Sequence, residues 1–146
     1  MRRVISNTSC LIALSNIHRL DILKLAYGSV CITPEVAQEF GETLPDWIEV
    51  VAVRDASKTQ LIHNSLDLGE SSTIALAMEE DALMILDDGK ARRFADSLQM
   101  SFTGTLGVIV KVKRMGAEVD LQAIIHDFRK QGFRIPNDIE DILLNE

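Results

Sequence analysis

Apolar positions along the chain fall into short runs broken by polar clusters, and their spacing alternates between strand-like and helical. Val4-Ile5 is a short apolar stretch halted by Ser6-Asn7-Thr8-Ser9, four residues of the types that favour helix N-caps. Leu11, Ile12, Leu14 and Ile17 then recur at helical spacing. A second helical stretch carries Leu20, Ile22, Leu23 and Leu25 and ends at Gly28. Val30-Cys31-Ile32 reads as a buried strand, after which Thr33 caps and Pro34 opens a helix running to about Gly41. Trp47 to Val53 partly alternates and reads as extended, and a helix follows from about Ser57 to Ser65. Leu68-Gly69-Glu70 precedes a helix whose apolar side holds Ile74, Ala75, Leu76 and Met78. Ala82 to Leu86 is the clearest strand, an unbroken apolar run stopped by Asp87-Asp88-Gly89. A helix from near Lys90, a short strand near Ser101-Phe102 and a helix carrying Leu106, Val108, Ile109 and Val112 come next. The last third is helical, with breaks near Gly116 and at Ile135-Pro136-Asn137.

Strands alternating with helices predict βαβ units and a mainly parallel sheet. Right-handed crossovers then place helices on both faces. No repeat, low-complexity tract or linker interrupts the pattern, so the expectation is one three-layer α/β/α domain over residues 1–146.

Composition narrows the function classes. The 146 residues are 47% hydrophobic and 25% charged, enough for a core and too apolar for a disordered chain. No apolar run approaches the length that spans a bilayer. The Met-Arg-Arg opening lacks the long apolar stretch of a signal peptide, so the expected location is the cytoplasm, away from membranes. Cys10 and Cys31 are too few and too far apart for a zinc site or a disulfide scaffold and read as buried thiols. His18, His63 and His126 share no motif. The net charge of −7 is awkward for a duplex-binding protein. It is less so if several acids gather around a cation, which inverts the local field.

The candidate chemistry lies where strands end, since ligands of open α/β sheets bind beyond the carboxyl ends of the strands. Ser6-Asn7-Thr8-Ser9 and Asp87-Asp88 both follow strands, and Glu39 and Glu70 lie on helices entering from or packing on that side. Such oxygen ligands suit Mg²⁺ or Mn²⁺. Each residue alone has an ordinary reading: helix caps for Asn7, Thr8 and Ser9, a turn for Asp87-Asp88, a dipole partner for Glu70, a solvated helix position for Glu39. The case for chemistry is their coincidence at one sheet edge.

Four segments, in order, carry a resemblance. Residues 4–12, the stretch from Leu68 to Ala77, Ile85 to Arg93 and Thr103 to Val108 resemble PIN-domain proteins, the last three resembling one uncharacterised prokaryotic branch of PIN-like proteins predicted to bind nucleic acid. The resemblance implies a PIN-like sheet flanked by helices and metal-dependent cleavage of RNA or single-stranded nucleic acid. It also implies kinship with the toxin ribonucleases of bacterial toxin–antitoxin pairs, hence an antitoxin protein as partner. Carried onto this chain, the metal-binding and catalytic positions fall on Asn7, Glu39, Glu70 and Asp88, with Asp87 as the alternative to Asp88. Thr105 matches a hydroxyl position near the site and is, on the resemblance, a candidate nucleic-acid contact. Position 7 is an aspartate in active PIN nucleases and is Asn7 here, which supplies an amide oxygen without charge. Lys90, Arg92 and Arg93 are candidate phosphate contacts, the alternative being a solvated helix face.

Three functions compete on this reading. One is a Mg²⁺- or Mn²⁺-dependent endoribonuclease. Another is a PIN-like binding module, degenerate at Asn7, acting through RNA or a protein. The third, a receiver domain, needs an acidic pair after the first strand, where this chain has Ser6-Asn7, and ranks last. Apolar surface on the late helices would support a homodimer.

Overall fold

A computed structural model describes residues 2–146 of the chain. The first strand, β1 (Val4–Ser6), leads into α1 (Thr8–Asn16) and α2 (Asp21–Tyr27), the latter ended by Gly28 in a left-handed conformation. Next come β2 (Val30–Ile32), α3 (Pro34–Phe40), β3 (Ile48–Val50) and α4 (Ala56–His63). The long helix α5 (Leu68–Glu80) precedes β4 (Leu83–Ile85), α6 (Gly89–Ser97) and β5 (Phe102–Thr103). Three helices close the chain: α7 (Thr105–Arg114), α8 (Leu121–Lys130) and α9 (Asn137–Asn145). The extended reading of Trp47 to Val53 shrinks to three paired residues; Trp47 and Val51 each add one backbone hydrogen bond to β2, at Val30 and Ile32, and the pairing stops there.

The sheet order is β3-β2-β1-β4-β5, and all four pairings are parallel. Side chains alternate across a strand, and here the alternation feeds two cores. Val4, Val30, Ile32 and Ile85 point into one, with Leu11 and Leu14 of α1, Ile22 and Leu23 of α2, Val108 and Ile109 of α7 and Phe128 of α8. Ile5, Cys31, Met84 and Leu86 point into the other, with Ile62 of α4, Ile74 to Ala77 of α5 and Ala91 and Ala95 of α6. Strands covered on both faces need apolar residues at every position, which is why they read as unbroken runs. The result is the three-layer α/β/α fold.

The late helices use their apolar residues internally: Ile124, Ile125, Phe128 and Leu143 are buried. Met115 and Leu144 are the large hydrophobic residues left exposed in that part of the chain. Among the described residues, no helix is long and apolar enough to cross a membrane.

Strand order sets the place of the site. From β1 the chain moves outward to β2 and β3, then returns to the other side of β1 for β4 and β5. The carboxyl ends of β1 and β4 therefore flank the point where the winding reverses, the usual crevice for ligands in such sheets.

Candidate active site

A shallow cleft of about 610 Å³ opens at this carboxyl edge, lined by Asn7, Thr8, Ser9, Glu39, Asp67, Glu70, Asp87 and Asp88. Four sequence segments converge there. Asn7 leaves β1 and Asp87-Asp88 leave β4, and Asn7 N–H donates to the Ile85 carbonyl at 3.0 Å, which extends the ladder between the two strands. Glu39 comes from α3 and Glu70 from the first turn of α5.

The capping reading of the first cluster fails on geometry. Asn7 stands at the N-cap of α1 with extended backbone, but its side chain makes no cap bond. Asn7 is 5% exposed and its Oδ1 has no hydrogen-bond partner. Leaving such an acceptor unpaired costs about 1–3 kcal/mol, so an oxygen placed there suits a donor or a cation. The two residues after it bond sideways into the site: Thr8 Oγ1 donates to Glu39 Oε1 at 2.5 Å, and Ser9 Oγ to Asp87 Oδ2 at 3.1 Å.

The two aspartates after β4 have divided tasks. Asp88 does cap, its Oδ2 accepting from Ala91 N–H at 3.0 Å, which leaves Oδ1 free of that bond. Asp87 accepts from Thr105 N–H at 2.8 Å, from Thr105 Oγ1 at 2.6 Å and from Ser9. Thr105 is fully buried. Its hydroxyl is taken by Asp87, so it positions that carboxylate instead of touching nucleic acid, a correction to its reading as a contact residue.

The helices α3 and α5 lie close because the chain leaves out a side chain between them. A Cβ at Gly69 would stand 2.0 Å from Glu39 Oε1, so the exposed Glu39 carboxylate rests on a bare backbone. Thr33, the N-cap of α3, bonds Ser72 Oγ of α5 at 2.8 Å. The buried hydroxyls of α5 satisfy themselves on preceding carbonyls, Ser71 on Asp67 and Thr73 on Gly69, which lets a polar helix run through the interior.

Glu70 is the most perturbed carboxyl of the cleft. Burial pushes its pKa up to about 7, aided by the negative charges of Asp67 and Asp88. Asp67 caps α5, its Oδ1 accepting from Glu70 N–H at 2.8 Å. Sequence reading passed over Asp67, although Asp67-x-x-Glu70 is a capping-box spacing that marks it.

The predicted basic residues do not form one group. Lys90 and Arg93 are exposed on α6 beyond the Asp88 cap. Arg92 turns the other way: its Nε donates to the Leu86 carbonyl at 2.7 Å, and its guanidinium lies 5.3 Å from the centre of the Phe102 ring. Arg92 is thereby committed to a neighbouring pocket and is not a free phosphate contact of the cleft.

Residues 3–146 match a family model described as a PIN domain. The chain belongs to the PIN-domain family. It is a nuclease-type family whose members generally use divalent metals, and membership points to nucleic acid as the ligand. No curated protein matches the chain. The cleft's donor set fits a hard divalent cation: oxygen ligands only, one of them an unpartnered buried amide oxygen, around a carboxyl whose pKa is pushed up by burial and by its acidic neighbours. Among the described residues no three acidic, histidine or cysteine side chains stand close enough to make a ready-made cage. A cation would have to draw the PIN-domain carboxylates inward from the rim.

Proposed function

We propose that the chain is a Mg²⁺- or Mn²⁺-dependent endoribonuclease of PIN type. Asn7 Oδ1, Glu39, Glu70 and Asp88 would hold the ion, with Asp87 as the alternative to Asp88. A bound divalent ion lowers the pKa of a water and offsets charge on a phosphate. Asp87, fastened by Thr105 and Ser9, fixes the loop after β4 so that Asp88 stays at the rim. Thr8 holds the Glu39 carboxylate toward the cleft. The observation that carries this reading is the buried, unpartnered Asn7 Oδ1 on the wall of a cleft that also holds five carboxyl side chains, Glu39, Asp67, Glu70, Asp87 and Asp88.

A second reading, a binding module that does not cut, is favoured by the same residue. An amide at position 7 contributes an oxygen but no charge, which weakens both cation binding and activation of water. The two separate in one experiment: cleavage of a labelled single-stranded RNA by the native chain, Asn7→Asp and Asp88→Asn, with Mn²⁺ and with chelator. Asparagine caps helices as well as aspartate does, so Asp88→Asn spares α6. Cleavage by the native chain that is lost in Asp88→Asn supports the nuclease. Activity gained only in Asn7→Asp identifies a degenerate nuclease. Silence from all three leaves the binding module.

The toxin role, with an antitoxin as partner and the cytoplasm as its place of action, rests on the resemblance to toxin ribonucleases. Arrest of bacterial growth on induced expression, lost in Asp88→Asn, is its test.

A further inference from the structure

Beside the acidic cleft lies a second pocket, of about 550 Å³, that shares Asp87 with it. Its size falls in the range of small-ligand sites, roughly 300–1,000 Å³. Its chemistry is the reverse of the cleft's: Arg92 and Arg134 with the rings of Phe102 and Phe133, closed at the far side by Ile139 of α9.

The walls are built to stay in place. Arg92 is pinned between the Leu86 carbonyl and the Phe102 ring. A Cβ at Gly104 would stand 2.2 Å from Arg92 Nη2, so the bare backbone at 104 gives the guanidinium its seat. Phe133 packs on the buried Phe128 with ring centres 4.9 Å apart, leaving it half-buried. Arg134 is exposed, with no ion pair or hydrogen bond among the described residues. Asp87 also lines the pocket on the Arg92 side, its carboxylate already bonded to Thr105 and Ser9, so the positive charge left open to a ligand is that of Arg134.

We propose that this pocket seats one unpaired nucleotide of a single-stranded substrate, its base against Phe133 and the Arg92–Phe102 stack and its phosphate on Arg134. The inference rests on the reading of the adjoining cleft as a nucleic-acid site and adds the place, and the residues, that would hold one nucleotide beside it. Aromatic rings and guanidinium planes bind bases by stacking, which requires a base freed from a duplex. The next phosphate along the strand then reaches Asp87's side of the cleft, where the cation would be held. A duplex hides its base faces and brings more phosphate charge toward the carboxylates.

The test measures binding of a fluorescein-labelled uridylate hexamer to the whole chain in chelator, without metal, and of a blunt RNA duplex. Arg134→Glu, an exposed position, should weaken hexamer binding about tenfold or more and flatten the slope of log K against log salt by about 0.7. Phe133→Leu, which keeps most of the packing on Phe128, should cost about tenfold. Lys24→Glu makes the same charge change on α2, outside the pocket, and should cost much less. Uridine monophosphate alone should shift the methyl resonances of Ile139. The proposal is overturned if Arg134→Glu and Phe133→Leu bind the hexamer as the native chain does. Equal losses in Lys24→Glu, or duplex bound as tightly as single strand, also overturn it. Because no metal enters the assay, failure of the metal-site reading would appear separately, as no Mn²⁺ effect on melting.

Discussion

Glu70 and Glu79 lie at opposite ends of α5, both covered by the fold, and their acidities move in opposite directions. Glu70, 8% exposed, is pushed up to about 7 by burial and by Asp67 and Asp88. The Glu79 side chain, 3% exposed, is drawn down to about 2, chiefly by the Arg54 backbone N–H, with the Asp55 N–H and Lys58 adding to it. Its Oε1 accepts from Arg54 N–H at 2.8 Å and its Oε2 from Asp55 N–H at 3.0 Å and Lys58 Nζ at 3.3 Å. Burial alone therefore does not decide the charge of a carboxyl. Glu79 has its donors supplied by Arg54 and Asp55 of the loop before α4 and by Lys58 of α4, and fastens them to α5, whereas Glu70 faces the acids Asp67 and Asp88.

The largest expected contrast between the two is in metal binding. Glu70→Gln should lower Mn²⁺ affinity, read by calorimetry, by about a hundredfold, since even outer partners of metal ligands cost about 10–100-fold. Glu79→Gln should leave it unchanged. If both variants bind Mn²⁺ as the native chain does, Glu70 is not a ligand and the contrast is purely structural.

Stability should reverse the ranking. Glu79→Ala strips the acceptors from two backbone N–H groups and a lysine, and should lower Tm by several degrees. Glu70→Gln without metal should raise Tm at pH 8, because it removes a charge the native cleft leaves uncompensated. Saturating Mn²⁺ should abolish that advantage by stabilising only the native chain, by about 2.7 kcal/mol at a hundred times Kd. A chain whose melting ignores millimolar Mn²⁺ would contradict the metal centre.

The pH dependence sharpens the comparison further. Glu70 has a folded pKa raised from 4.5 to about 7, so its contribution to stability is full below 4.5 and is lost as pH rises to about 7. Glu79 has a folded pKa lowered from 4.5 to about 2, so its contribution is full above 4.5 and is lost as pH falls to about 2. Metal-free melting curves between pH 5 and 8 should be flatter for Glu70→Gln than for the native chain. Those below pH 4 should be flatter for Glu79→Gln. The opposite assignment of slopes would refute the charge states given to the two ends of α5.

The smallest expected effect on stability is at Gly69. Alanine there gains up to about 1 kcal/mol of helix propensity, set against a clash with the Glu39 carboxylate, the movable end of a side chain. Tm should stay within about two degrees of native while Mn²⁺ affinity falls severalfold, as Glu39 is pushed off its place. A large drop in Tm would show that Gly69 serves packing and not the cleft.

The local pattern was readable where one element decides the outcome. Unbroken apolar runs ending in polar residues marked β1, β2 and β4, because strands covered on both faces tolerate little else. Thr33-Pro34 marked the start of α3, and Gly28 the end of α2, each through its own backbone chemistry. Harder to read were residues whose partner lies far along the chain. Arg92 looked like a phosphate contact because its tie to Leu86 and Phe102 is made only in the folded sheet. Thr105 looked like a ligand contact because nothing nearby in sequence says that Asp87 takes its hydroxyl.

The order of strands and helices, the two-sided burial of the sheet and the family were set by the sequence itself, since periodicity and motif are properties of neighbouring residues. Which polar residues are spent on the fold and which are left for a ligand was decided only by tertiary structure. Asn7 and Asp88 look alike in sequence, each a capping residue between a strand and a helix. Asp88 caps, and Asn7 does not. The reason is packing: Asn7 sits under the cleft, and its Oδ1 is left without a donor. That unpartnered oxygen meets the carboxylates only when segments far apart in the chain, 78 positions between Ser9 and Asp87, come together at the reversal of strand order.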